Sequence, residues 1–198
     1  MEQEIVAVGG DLEPATLIGA YSEGLFPMPV GRHLGWFSPD PRAVIPLGGL
    51  HVSRSLRRSL AGFEIRIDTA FEEVMRACGD PPRPHGWINE AFVDAYTRLH
   101  ELGWAHSVEA WKEGELVGGV YGVRIGAFFA GESMFHRVTN ASKVALAALV
   151  DHLNEREFRL FDIQFVTQHT GRMGAIEIPR DDYLDRLRDA ISLDVRFA

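Results

Sequence analysis

Apolar positions recur along this chain at two spacings, and the changes between them mark its elements. From Asp11 to Tyr21, Leu17, Ile18 and Tyr21 share one helical face, with Pro14 in the first turn and Gly24 as the stop. Residues 24–50 are dense in glycine and proline and predict short strands and turns. A short helix follows over Val52–Leu60, then FEIRI at 63–67 alternates as a strand. Asp68 is expected to cap a helix over Thr69–Cys78 that turns Phe71, Val74 and Met75 inward. After the breaker loop GDPPRPHG, Asn89 is expected to cap a helix burying Phe92, Ala95, Tyr96 and Leu99.

Three strands come next, at 105–111, 115–123 and 127–132, joined by the hairpin-sized turns KEGE and RIGA as an antiparallel meander. Gly118, Gly119 and Gly122 inside the middle strand predict a bulge or a close approach. Asn140 is expected to cap a long apolar helix, ASKVALAALVDHL. A strand at 158–166, a helix opened by Pro179 and a terminal strand SLDVRF complete the chain. This order predicts an α+β fold, a mixed sheet with helices on both faces. Residues 1–62 are read as a small, irregular, Gly/Pro-rich N-terminal domain and 63–198 as a larger domain.

Two of the strands carry acids where burial is expected. In AFFAGESMF (127–135) Glu132 follows small and apolar residues; in FRLFDIQFV (158–166) Asp162 and Gln164 share one face by alternation, with Phe161, Ile163 and Phe165 on the other. A buried carboxylate costs several kcal/mol unless paired. Either these acids form structural ion pairs or they belong to a site.

Composition narrows the possible partners. A chain of 198 residues with 46% hydrophobic and 24% charged residues is an ordinary globular domain of generous size. A net charge of −8 argues against coating nucleic acid, so any RNA contact needs a local basic patch. Arg54, Arg57 and Arg58, spaced to share a helix face, are the best such patch. The single cysteine, Cys78, and an N-terminus without a basic n-region point to the cytoplasm. No long apolar run predicts a membrane span. No histidine–cysteine set has metal-ligand spacing and no G-x-S-x-G elbow occurs, so no metal and no cofactor are expected. Trp36 and Phe37 are either staples for an irregular segment or a stacking surface.

GESMF at 131–135, NASK at 140–143 and D-x-Q-F-V at 162–166 stand in order with GLFP (24–27), SPDPRAVIPL (38–47), HVSRSLRR (51–58) and RLHELGWAHSVEAW (98–111). Together, over about residues 9–187, they resemble the bacterial leucyl/phenylalanyl-tRNA–protein transferase family. The resemblance implies an acetyltransferase-like (GNAT) fold. It also implies transfer of Leu or Phe from leucyl-tRNA or phenylalanyl-tRNA to proteins with N-terminal Arg or Lys, marking them for N-degron degradation. By that resemblance Glu132 faces the cationic acceptor and Gln164 holds the attacking amine, while Asp162 polarises the amide or takes the proton, unless a ribose hydroxyl does. Phe129, Met134, Leu149 and Ile163 would form the donor pocket, with Trp36, Val120, Ser133 and Phe135 also at the substrates and Lys143 joining the arginines on tRNA. Val120 replaces a methionine of some members and Met28 a common aromatic, at pocket and adenosine-stacking positions respectively. Strict alternation would turn Ile163 away from Gln164; a bulge would bring it back. The rivals are a coenzyme A-dependent N-acyltransferase, disfavoured because HRVTNASK lacks the glycine-rich phosphate turn R/Q-x-x-G-x-G/A, and a non-catalytic module binding aminoacyl-tRNA or protein N-termini.

Overall fold

The computed structural model describes residues 4–80 and 87–198, so most of the expected loop GDPPRPHG lies outside the described residues. The chain begins with β1 (Ile5–Val8), α1 (Pro14–Ser22), β2 (Phe26–Val30) and β3 (His33–Phe37). These strands form a small antiparallel sheet in the order β1-β3-β2. The Gly/Pro-rich segment thus folds as short strands and turns, with the two prolines of β2, Pro27 and Pro29, tolerated at the sheet edge.

The next strand, β4 (Arg42–Val44), enters a second, seven-stranded sheet. There follow α2 (Arg54–Leu60), β5 (Glu64–Ile67), α3 (Phe71–Cys78), α4 (Glu90–Glu101) and the meander β6 (Ala105–Lys112), β7 (Glu115–Ile125) and β8 (Phe128–His136). Then come α5 (Ala141–Glu155), β9 (Leu160–Gln164), α6 (Gln168–Arg172), β10 (Ile176–Ile178) and α7 (Arg180–Ile191). The large sheet has the order β10-β4-β9-β8-β7-β6-β5. One core cluster joins one face of this sheet to Leu17, Tyr21, Phe71, Met75, Tyr96 and Leu187 of four helices. The other joins the opposite face to Leu56 of α2 and to Val144, Leu149 and Leu153 of α5. The α+β arrangement with helices on both faces is the one expected.

Three features of the meander prepare the site. Gly118 is required because a Cβ there would fall 2.6 Å from the Ala141 side chain, where α5 starts. At Gly122 a Cβ would meet the Ala130 carbonyl at 2.1 Å, and the β7–β8 register shifts there, from Gly122↔Gly131 to Tyr121↔Ser133. Glu132 is the residue left over by that shift, the extra position of a β-bulge. Finally, β8 and β9 pair in parallel only from Phe128↔Leu160 to Ala130↔Asp162. Beyond Ala130 the two strands part, and a cleft opens between them.

Several expectations are corrected. Asp68 does not cap α3: it adopts φ 57° and accepts hydrogen bonds from the Ser107 N–H at 2.8 Å and the His106 ring at 2.7 Å. The α3 start is seated instead by Glu109, fully buried on β6, which accepts from the Thr69 N–H (3.2 Å), the Thr69 hydroxyl (2.6 Å) and the Ser107 hydroxyl (2.6 Å). Asn140 precedes α5 in a left-handed conformation, φ 70°, and its amide donates to the Ser59 hydroxyl at 3.1 Å, tying α5 to α2. The terminal SLDVRF forms no strand. Side chains hold it where a ladder was expected: Phe197 is buried against the rings of His106 and Phe129, with centroids 4.3 and 5.2 Å away, and Arg124 donates to the Val195 carbonyl at 2.8 Å. The short α6 and β10 have too few residues to show a period. Among the described residues no helix is long and apolar enough to cross a membrane.

Candidate active site

Where β8 and β9 part, Glu132 from one strand and Gln164 from the other border the cleft. The Gln164 amide donates to Glu132 Oε1 at 3.1 Å. Their proximity comes from two irregularities. Glu132 is turned in by its bulge. Gln164 has φ 59°, with the Phe165 N–H bonded to the Ile163 carbonyl at 2.6 Å, a γ-turn with positive φ that an L-residue rarely adopts. This turn ends the alternation of β9, so Ile163 and Gln164 both reach the cleft.

What holds Gln164 in that turn is Asp162, which is fully buried. Its Oδ1 accepts the Gln164 N–H at 3.0 Å and Arg42 Nε at 2.8 Å. Its Oδ2 accepts a second Arg42 N–H at 2.6 Å and the Tyr183 hydroxyl at 3.1 Å. Arg42 itself is buried, donates also to the Gly24 carbonyl at 2.9 Å, and stands over the rings of Phe26 and Tyr183 at 4.9 and 4.4 Å. The pair is bidentate and both charges have further partners, the condition under which a buried ion pair is tolerated. With four donors on its two oxygens, Asp162 is occupied as an anchor.

Glu132 is in the opposite condition. It keeps a partial opening to the cleft but is otherwise enclosed, and burial pushes its pKa up to about 8. A hydrogen bond from Tyr21 works against that rise; the negative charge of Asp162 adds to it. The Tyr21 hydroxyl is in turn bonded to that of Tyr96, and burial raises the pKa of both well above the ordinary tyrosine value. A carboxyl titrating near 8 can exchange a proton at physiological pH.

Two lobes meet at this acid–amide pair. The first, about 220 Å³, has walls of Val120, Met134, Leu146, Phe161, Ile163 and Thr170. The second, about 210 Å³, is walled by Phe26, Met28 and Trp87. Glu132, Ile163, Gln164, Phe165 and Thr167 border both. Of the residues expected at the substrates, Val120, Ser133, Met134 and Ile163 therefore line the first lobe. Phe129 lies one layer behind it, 5.9 Å from the Phe161 ring, and Leu149 is fully buried on the core face of α5. Phe135 is buried in the core on the α3 face. Trp36 is a staple: its indole N–H bonds the Gly9 carbonyl at 2.9 Å within the small sheet. Arg54, Arg57 and Arg58 are exposed on α2, and Lys143 stands near the start of α5.

Arg42, Tyr21, Tyr96, Leu146, Phe161 and Trp87 were not singled out as site residues from the sequence. Leu146 was within reach, because it stands three residues before Leu149 on the same face of α5. Arg42 had one signal, a charge flanked by the apolar run AVI in a Gly/Pro-rich segment.

Asp68, His100 and His106 bring ligand-type atoms within 4.8 Å of one another. Those atoms are engaged locally, His106 with Asp68 and the Gly103 carbonyl (2.7 and 3.2 Å) and His100 with the Ala105 carbonyl (2.8 Å). The group reads as a clasp under the meander.

Comparison with known proteins agrees with this reading of the motifs. A family model described as leucyl/phenylalanyl-tRNA protein transferase matches residues 44–188, and one for the N-terminal domain of the same family matches residues 10–40. A leucyl/phenylalanyl-tRNA–protein transferase of Paramagnetospirillum magneticum is 53% identical over 183 residues, covering 89% of this chain and 88% of that protein. One from Herpetosiphon aurantiacus is 49% identical over 189 residues, 94% of this chain and 98% of that one. Among solved structures, a ribosomal-protein-alanine N-acetyltransferase from Brucella melitensis is similar at a TM-score of 0.39 and 16% identity, over 56% of this chain and 86% of that chain. With family models matched along most of its length and relatives identical at about half of all positions, this chain belongs to the leucyl/phenylalanyl-tRNA protein transferase family.

Proposed function

We propose that the chain moves leucine or phenylalanine from aminoacyl-tRNA to the α-amino group of proteins that begin with arginine or lysine, and so marks them for degradation. The observation that carries this is the contact of Glu132 with Gln164 at the junction of two lobes. The apolar first lobe suits an unbranched-β side chain such as Leu or Phe, and Met134 in its wall adapts to either. The second lobe offers Trp87 and Met28 as stacking area for the terminal adenosine.

The ester of an aminoacyl-tRNA is already activated, so the chemistry reduces to orientation and proton transfer. The Gln164 side-chain carbonyl orients the acceptor amine. An α-ammonium group has a pKa of about 8, matched to that of Glu132, whose carboxylate takes its proton. The freed amine attacks the ester carbonyl and the C–N bond forms; Glu132, having passed the first proton to solvent, takes the second from the nitrogen and delivers it to the ribose oxygen as the C–O bond breaks. A cationic acceptor side chain favours the ionised form of Glu132, which links recognition to catalysis. Asp162, with Arg42 and Tyr183, positions Gln164 and takes no proton. Arg54, Arg57, Arg58 and Lys143 supply the basic face that an acidic protein needs for RNA.

The first lobe provides the test. Leu146→Ala should deepen it and raise the ratio of phenylalanine to leucine transferred from the two charged tRNAs by about tenfold, the value of one to two methylenes in an apolar pocket. An unchanged ratio, with only a loss of stability, would assign that cavity to the core and not to the donor.

A further inference from the structure

We propose that the cavity bounded by α2, the start of α5 and α6 binds the phosphodiester that joins the donor's terminal nucleoside to the rest of its RNA. The inference rests on the aminoacyl-tRNA reading above and names a part of the substrate for which that reading has no specific seat.

The cavity is larger than either lobe of the cleft, about 450 Å³, and its walls include His51, Ser53, Asn140, Lys143, His169 and Arg172. None of the residues lining it is acidic, in a chain whose net charge is −8. Such a local reversal of charge concentrates an anion. Arg172 offers a guanidinium fork, suited to two phosphate oxygens, and Lys143 a mobile point charge. The Nε2 atom of His169 is buried and has no hydrogen-bond partner among the described residues. Burial holds the His169 pKa below its ordinary value, and Lys143, His136 and Arg172 push it the same way, which places two fixed cations, Lys143 and Arg172, and a second imidazole around one ring. Positive charge gathered this closely repels itself until an anion joins it.

The cavity adjoins the cleft along α6 and α5. Thr167 borders both lobes and caps α6, and the residues that follow it, Gln168, His169 and Arg172, turn into the basic cavity. On α5, Leu146 lines the first lobe while Lys143, one turn earlier, lines the cavity. A ribose at Thr167 therefore directs its 3′ ester toward Glu132 and its 5′ phosphate along α6.

Two minimal donors test this: 3′-leucyl-adenosine and the same compound with a 5′ phosphate. The wild-type chain should use the phosphorylated donor about tenfold better in kcat/KM, the effect of one or two charge-assisted hydrogen bonds. In Lys143→Ala/Arg172→Ala that ratio should collapse toward one, and Arg172→Lys should restore part of it. A wild-type ratio near one, or a ratio that survives the double substitution, would overturn the site. Calorimetric titration with AMP and with adenosine reads the cavity without catalysis. AMP should bind more tightly to wild type, and the double variant should lose the difference; equal binding would reject the proposal even if no donor were turned over. Failure of transfer from charged tRNA itself would instead reject the function on which the inference rests. Tighter binding of coenzyme A than of AMP, with acetyl transfer, would assign the anion to a pyrophosphate and not to RNA.

Discussion

Arg42→Met should lower the stability of the folded chain by about 3–5 kcal/mol, the usual loss when one partner of a buried ion pair is removed. The cause is what remains. Asp162 has no exposure to water, and it would keep only the Gln164 N–H and the Tyr183 hydroxyl. Arg42 also bridges to the Gly24 carbonyl, so the link from β4 to the segment following α1 would go with it. For a domain of this size the loss corresponds to about 6–20 °C in Tm. Urea unfolding followed by circular dichroism measures it. Substituting both partners, Arg42→Met/Asp162→Leu, should recover part of the stability because no uncompensated charge is left. That double variant should still fail in transfer, since the Gln164 turn loses its anchor. A single variant within about 1 kcal/mol of wild type would mean that the pair is dispensable and that Asp162 is free for another role.

Glu132→Gln should have its largest effect on rate, lowering kcat/KM by about 10²–10⁴-fold, the range for a positioned general base. The wild-type profile should rise with pH up to about 8, where Glu132 loses its proton. The acceptor amine titrates in the same region, so the variant should keep that second limb and lose the first. Stability supplies an independent sign. The folded pKa of about 8 lies above the ordinary 4.5, so the folded chain retains a proton that the unfolded chain releases between these values. The stabilisation is full below about 4.5 and is lost as pH rises toward 8. Relative to wild type, Glu132→Gln should therefore gain a few kcal/mol, roughly, across that window. A stability difference flat in pH would show that Glu132 is ionised throughout and acts only as a fixed charge.

Much of this arrangement was legible before any coordinates. The meander, the long apolar α5 and the acids in two apolar strands follow from periodicity and from the cost of burying charge. What escaped depends on tertiary register. Arg42 and Asp162 lie 120 residues apart, and no local pattern pairs them. The bulge that presents Glu132 falls beside Gly122, where the glycines of the middle strand predicted one, whereas the γ-turn that presents Gln164 has no residue in the sequence that marks it. Alternation also assigns a face without a depth. The family resemblance placed Phe129 and Leu149 on the pocket wall, where Phe161 and Leu146 stand. Asp68 and Asn140 had the right chemistry for caps, but the α3 start is seated by Glu109, buried on β6.

The most direct measurement is made on the product. The chain is incubated with leucyl-tRNA and a peptide that begins with arginine, and the peptide is fragmented in a mass spectrometer. One leucine should appear on the α-amino group, none on a lysine side chain, and none on the same peptide with an acetylated N-terminus. A peptide left unmodified by charged tRNA, or one that gains an acetyl group from acetyl-coenzyme A instead, would contradict aminoacyl transfer at the Glu132–Gln164 site.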